Sequence, residues 1–260
     1  MSRAERALHY TVCGAADGPP VLLLHGLGSR AADWSWQSPA LEPRYRVIAV
    51  DLPGHGGSPL PSPDVTVEAM AEAVAALVGD LTPAPAHVVG LSLGACVAVR
   101  LALQAPSRVR SLTLVNPFAR LRPGGPGELA RLAHRLLLLG TAPMPALAAH
   151  VARGLFPWPE QRALYDAAVA SLSATSRRGY ATAMRALARF DARGQLAAVR
   201  PPTLVVAGDR DRVVPLGAKL QLAAAIRGAR VEVIPGSGHA TPYDRPEAFN
   251  RLLLEFLAAH

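Results

Sequence analysis

Apolar residues fall into two alternating patterns along the chain. Short strand-like runs occur at 21–24, 47–50, 86–89, 112–115, 203–207 and 231–234, of which 21–24 and 47–50 are continuously apolar, and turn-forming residues punctuate several of them. Runs of that length without polar alternation read as strands covered on both faces. Between them, apolar positions keep helical spacing. Met70, Val74, Leu77, Val78 and Leu81 predict a helix over 66–81 with Thr66 as its N-cap, although Ala69 denies it a capping box. Further helices are predicted over 93–104, 216–226 and 247–257, and the run at 8–13 is a candidate edge strand.

This alternation predicts an α/β fold, a mostly parallel twisted sheet with helices on both faces. Right-handed crossovers then gather the C-terminal ends of the strands on one edge, where open sheets of this kind bind ligands. The rhythm breaks between 117 and 200. That stretch contains the turn-rich Pro123-Gly124-Gly125-Pro126-Gly127 and helical patterns near 128–139 and 163–190, with no convincing strand. It reads as a helical insertion leaving the ligand edge. The expected division is a core of residues 1–116 and 201–260 with a cap or lid at 117–200. A second layer of packing helices without a gating role is the alternative. No internal repeat is visible.

Composition narrows the classes. Half of the 260 residues are apolar and 18% are charged, enough burial to offset ordering entropy, so disorder is excluded. Two cysteines, Cys13 and Cys96, cannot form a disulfide scaffold and read as reduced thiols in apolar surroundings. Met-Ser-Arg-Ala-Glu-Arg leads into no secretory signal. The window 136–152 is interrupted by Gly140, Pro143, Pro145 and His150, too short and broken to span a bilayer. A soluble, cytoplasmic protein is the expectation.

The net charge is +8. Residues 117–200 hold twelve arginines against four acids, so the whole excess lies there, and Lys219 is the only lysine in the chain. A solvated basic face is one reading, and attraction of an anionic substrate, carrier or membrane surface is the other. No reading motif accompanies the charge, so nucleic acid is not expected.

Candidate chemistry concentrates at Gly90-Leu91-Ser92-Leu93-Gly94, between a buried run and a helix. A sharp strand-to-helix reversal holds such a serine in a strained conformation, so only small residues fit two positions before and after it. The helix N-terminus then points at the site, where it can stabilise developing negative charge. A serine hydroxyl needs a general base oriented by a third group. His239, in Pro235-Gly236-Ser237-Gly238-His239, and Asp211, in Gly208-Asp209-Arg210-Asp211, follow strands ending at the same edge. Asp209 is the rival acid. Asp211 is favoured because it sits deeper in the loop, whereas Asp209 suits fixing the turn. Asn116 occupies a second place where an acid could sit, but an amide cannot stabilise an imidazolium as a carboxylate does. His25-Gly26-Leu27-Gly28 lets the main chain approach a reacting carbonyl, pairing the N–H of Leu27 with that of Leu93 as an oxyanion hole. The stretch Asp51-Leu52-Pro53-Gly54-His55-Gly56-Gly57-Ser58 reads as structural support.

These motifs, in this order, resemble the α/β-hydrolase superfamily over roughly residues 8–116 and 201–260. The intervening segment resembles the family's helical cap in position only. The resemblance implies cofactor-free, metal-free acyl transfer by a serine esterase with a catalytic triad and nucleophile elbow. Ser92 would attack, His239 shuttle the proton and Asp211 orient the imidazole. Serine at position 92 argues against the superfamily's epoxide hydrolases and haloalkane dehalogenases, which use aspartate, and against dienelactone hydrolases, which use cysteine. The overall pattern looks like small esterases and enol-lactonases.

Trp34, Phe118, Met144, Phe156 and Trp158 are candidates for an acyl pocket, with plain core packing as the alternative for each. The basic cap suggests an anionic acyl substrate, such as a carboxylate-bearing lactone or an acyl group carried on CoA or an acyl carrier protein. Membrane contact is not the expectation. Two other classes stay open: a binding protein that keeps the fold with slow or no turnover, and a lipid-acting protein whose basic cap docks on anionic membrane.

Overall fold

The six apolar runs are strands, and a seventh precedes them. The structure, a computed structural model, describes residues 8–122 and 125–260; residues 1–7 and 123–124, which include part of the turn-rich stretch at 123–127, lie outside the described residues. In chain order the elements are β1 (Tyr10–Gly14), β2 (Pro20–Leu24), α1 (Ser38–Leu41), β3 (Arg46–Val50), α2 (Val67–Leu81), β4 (Ala86–Leu91), α3 (Leu93–Gln104) and β5 (Val109–Val115). There follow α4 (Pro126–Thr141), α5 (Met144–Leu155), α6 (Arg162–Ala174), α7 (Arg177–Arg189), β6 (Thr203–Gly208), α8 (Leu216–Ala224), β7 (Arg230–Ile234), α9 (Thr241–Asp244) and α10 (Pro246–Ala258).

The sheet runs β1-β3-β2-β4-β5-β6-β7. Only β1 is antiparallel, pairing with β3 at the edge, as the 8–13 run suggested. The other neighbours pair in parallel, so their C-terminal ends share one edge. Successive residues of β2 enter opposite layers. Leu22 and Leu24 join the cluster containing α2, α3 and α8 side chains, whereas Val21 and Leu23 pack with Trp34, Phe249, Leu253 and Phe256. A strand buried on both faces cannot alternate apolar with polar, and that is why its sequence is a continuous apolar run. Thr66 caps α2 as expected, its hydroxyl accepting the Ala69 N–H at 3.2 Å.

The insertion between β5 and β6 departs from the sequence reading in two ways. The pattern over 163–190 is two helices, not one. It breaks at Thr175-Ser176, where the Ser176 hydroxyl accepts the Gly179 N–H and starts α7. Helix α5 falls in a Pro-containing window that gave no helical signal. Pro143 is its N-cap and Pro145 lies in its first turn, where the missing N–H costs nothing.

The end of the insertion packs inward. Ala183, Ala186, Leu187, Phe190, Leu196 and Val199 belong to the main core cluster. Arg100, on α3, lies over the Phe190 ring at 5.3 Å and donates to the Asp191 carbonyl at 2.9 Å. Among the described residues, no helix is long and apolar enough to cross a membrane. Cys96 is a buried free thiol, but Cys13, on the edge strand, is only half-buried.

Candidate active site

Ser92 stands between β4 and α3 with φ 54° and ψ −107°. A non-glycine residue at positive φ is strained by about 1–3 kcal/mol and persists only where its surroundings hold it. The hold is steric here. A Cβ on Gly90 would lie 2.3 Å from the Gly94 carbonyl oxygen, and one on Gly94 would lie 2.1 Å from that of Leu24. The turn therefore admits no side chain at either position. It leaves the Ser92 hydroxyl at the sheet edge and the N-terminus of α3 behind it.

The loops after β6 and β7 bring the other two predicted side chains to that hydroxyl. Ser92 Oγ lies 2.9 Å from His239 Nε2, and His239 Nδ1 lies 2.8 Å from Asp211 Oδ2. An ionised carboxylate can only accept, so Nδ1 carries the proton and Nε2 remains free to accept from the serine. Asp211 Oδ1 accepts the N–H groups of Val213 and Val214 at 2.7 and 3.0 Å. Burial alone would raise the Asp211 carboxyl. The adjoining His239 imidazole and the Lys219 ammonium outweigh it and hold the group well below the carboxylate range. Asp209 points elsewhere, accepting the Gly236 N–H at 2.7 Å and so tying the acid loop to the histidine loop.

Leu27 sits in the turn after β2, between Gly26 and Gly28, and Leu93 opens α3. Its N–H is one of the first-turn donors that a helix leaves without an internal acceptor. Beneath the Leu27 turn, neutral histidines support the backbone. His25 Nε2 accepts the Leu52 N–H at 2.9 Å, and its Nδ1–H donates to the Gly26 carbonyl at 2.7 Å. Burial pushes His25 down to about 4 and His55 to about 3, so both remain uncharged near neutrality. Asp51 accepts from Ala31 N–H at 2.6 Å and Gly57 N–H at 2.8 Å. The Asp51–Ser58 loop thus braces the turn from below.

The helical insertion lies on these loops. Thr175 donates to the Gly28 carbonyl at 3.1 Å, and Ser171 donates to Asp33 at 2.7 Å. A Cβ on Gly28 would meet the Leu172 side chain at 2.1 Å. One on Gly238, beside His239, would come within 3.4 Å of the Leu155 carbonyl oxygen.

The expected pocket residues separate. Trp34 is a correction: it is wholly buried in the opposite core layer, among Val21, Leu23 and Phe249, and has no surface left for a ligand. Phe118 also packs into the main cluster, edge-on to Phe190 at 6.4 Å. Met144 lies against a small cluster of Leu147, Ala148, Leu172 and Tyr180. Phe156 is buried just after α5, and Trp158 is partly exposed with the Arg212 guanidinium over its ring at 5.2 Å.

Two residues at the site carried no assigned role in the sequence. Asn116, at φ 46°, donates to the His239 carbonyl at 2.7 Å and to Thr241 at 2.8 Å, and accepts the Gly208 N–H at 2.9 Å. It stitches β5 to the loops that carry Asp211 and His239. Lys219 lies wholly buried against Asp211. A signal for it was present, because Lys219 shares one helix face with Leu222, Ala223 and Ile226, and a charge on an apolar stripe needs a partner.

With fold and geometry in view, the chain belongs to the α/β-hydrolase fold family, whose pattern residues 19–246 match. A RutD protein of Variovorax paradoxus, designated a carbamate hydrolase, is 35% identical over 261 residues, covering 96% of each chain. The pimeloyl-[acyl-carrier protein] methyl ester esterase of Methylococcus capsulatus is 35% identical over 251 residues, covering 93% of this chain and 96% of its own. Among solved structures, the enol-lactonase of Burkholderia xenovorans superposes with a TM-score of 0.88 at 29% identity, covering 96% of both chains.

Proposed function

We propose that the protein is a serine hydrolase cleaving carboxylic ester-type bonds (ester, lactone or thioester) through an acyl-enzyme on Ser92. The contact between Ser92 Oγ and His239 Nε2 at 2.9 Å, backed by Asp211 at 2.8 Å, carries this reading. In it, His239 Nε2 takes the serine proton as Oγ attacks the carbonyl carbon. The oxygen of the tetrahedral intermediate faces the N–H groups of Leu27 and Leu93. Collapse expels the alcohol or thiol, which receives the proton from His239. Water, activated by the same imidazole, then releases the acid. The similar proteins named above are an esterase, a lactonase and a designated carbamate hydrolase, and hydrolysis is common to all three names. Turnover of a panel of p-nitrophenyl esters, thioesters and lactones tests the reading; no turnover of any of them by the intact protein would favour a binding protein instead.

Residues 117–200 act in this reading as a cap over the core of 1–116 and 201–260, with Met144, Phe156 and Trp158 candidate walls of the acyl pocket. Their contacts with Gly28, Asp33 and the Gly238 loop support it. The cap's excess of arginine suits an anionic acyl group, or one delivered on CoA or an acyl carrier protein. For an anionic ester, kcat/KM is expected to fall steeply as salt rises from about 0.01 to 1 M, as the Debye length shrinks from about 30 to 3 Å. A neutral ester of equal length should be indifferent. Equal sensitivity of the two, read from initial rates, would remove the anionic preference.

A second reading is favoured by the outer face of α4. Leu129, Leu136 and Leu137 are more than half exposed and share that face with Ala133 and Gly140. An apolar stripe on a basic segment fits insertion at an anionic lipid surface. Co-sedimentation with phosphatidylserine vesicles, lost with phosphatidylcholine alone and in Leu136→Glu, is the expected result if the cap docks there. Equal recovery with both vesicle types would exclude it.

A further inference from the structure

Lys219 is the only lysine of the chain, every other permanently cationic side chain being arginine. It is buried without residual exposure, and its Nζ is surrounded by acceptors. These are Asp211 Oδ2 at 2.8 Å, Asn116 Oδ1 at 2.7 Å and the Gly208 carbonyl at 3.0 Å. Three acceptors match the three N–H bonds of an ammonium, whereas a neutral amine would turn its lone pair toward one of them. The niche therefore selects the charged form. A planar guanidinium, wider and with five donors in a fixed fork, does not suit three acceptors converging on one point.

The ammonium and the His239 Nδ1–H contact the same oxygen, Asp211 Oδ2. The orienting carboxylate of the proposed triad thus has a resident counter-ion, fixed on α8 and tied through Asn116 to the histidine loop. From this the geometry points to Lys219 as a positioning residue. It locks Asp211 in register with His239 and offsets part of the negative charge that would otherwise stabilise the imidazolium, keeping the base unprotonated to lower pH. No proton moves to or from Lys219 in the cycle.

Other ionisable groups nearby do not duplicate it. Asp209, Arg210 and Arg212 are exposed on the acid loop. Asp244, packed under the histidine loop, accepts from Gly238 N–H and the Ser237 hydroxyl. Tyr243 is partly buried with its hydroxyl enclosed, and that burial pushes its phenol up further, so it stays neutral. On the Lys219 side, burial pulls the ammonium below the usual lysine range, and Asp211 offsets part of that pull.

The test is the pH profile of kcat/KM for a neutral ester in wild type, Lys219→Met and Lys219→Gln. Removing a positive charge beside the carboxylate strengthens the imidazolium, so the acid limb should move up by about 1–2 pH units. Below the limb the variants lose about 10- to 100-fold, while above it they return to within about tenfold of wild type. Gln keeps a donor but not the charge, so both variants should shift alike. A merely structural lysine would lower the rate equally at all pH, and an unmoved or lowered limb overturns the proposal.

A measurement without substitution guards against misfolded variants. Selective ¹⁵N-lysine labelling of the wild type should give one side-chain Nζ signal, slow to exchange and in the ammonium form throughout the active pH range. A neutral amine there also overturns the proposal. The role presupposes the triad reading, and the two fail separately. Activity that survives Ser92→Ala refutes the triad; a Ser92-dependent activity whose limb ignores Lys219 refutes only the role assigned to the lysine.

Discussion

Ser92→Ala is expected to lower kcat on any ester the protein turns over by on the order of 10⁵- to 10⁶-fold, and His239→Ala by a similar factor. The two together should cost little more than either alone, because nucleophile and base act as one unit. Both variants should retain the wild-type fold. The Ser92 hydroxyl has His239 Nε2 as its partner, and alanine tolerates the φ of 54° no worse than serine does. Steady-state kinetics beside thermal melting decides the point. A large loss of rate with an unchanged melting temperature is the expected outcome, and loss of both would mean that the fold, not the chemistry, had been removed.

The second large effect separates two aspartates two residues apart. Asp211→Asn should cost about 10³- to 10⁴-fold in kcat. The amide can still accept from Val213 and Val214 through its oxygen, but its NH₂ then faces two donors, His239 Nδ1–H and the Lys219 ammonium. The imidazole loses its fixed tautomer, and a buried lysine loses its counter-ion. A lowered melting temperature should accompany the lost rate, since an uncompensated buried charge is strongly destabilising. Asp209→Asn keeps an acceptor for the Gly236 N–H. It should stay within about threefold of wild type, the scale of weakening one exposed hydrogen bond. The reverse ranking in kcat would reassign the acid.

Much of this site was legible in the chain because its constraints are local. The glycines at 90 and 94 announce a turn too tight for a Cβ, and the distances of 2.3 and 2.1 Å to main-chain oxygens show why. The inner strands β2 and β3 were legible because burial on both faces leaves a short run no choice but to be apolar. What escaped depends on contacts between distant segments. Asn116 reads only as an amide at a place where an acid could sit, until the loops carrying Gly208, His239 and Thr241 close around it. Lys219 was noted only as the single lysine, and its partner, Asp211, is positioned by a loop of another element. Trp34 misled for the opposite reason. A tryptophan after a Gly-rich turn suits a pocket, yet the chain turns it into the layer beneath α10. The inward packing of 183–199 was likewise hidden, since an amphipathic helix looks the same whether its apolar face meets a cap or the core.

Covalent capture of the nucleophile tests the central claim most directly. After incubation with a fluorophosphonate, peptide mass spectrometry should find one phosphonyl group, on the peptide bearing Ser92, with activity lost in step. The adduct should form far more slowly in His239→Ala. Full labelling at another residue, or undiminished turnover while Ser92 is quantitatively modified, would contradict the account.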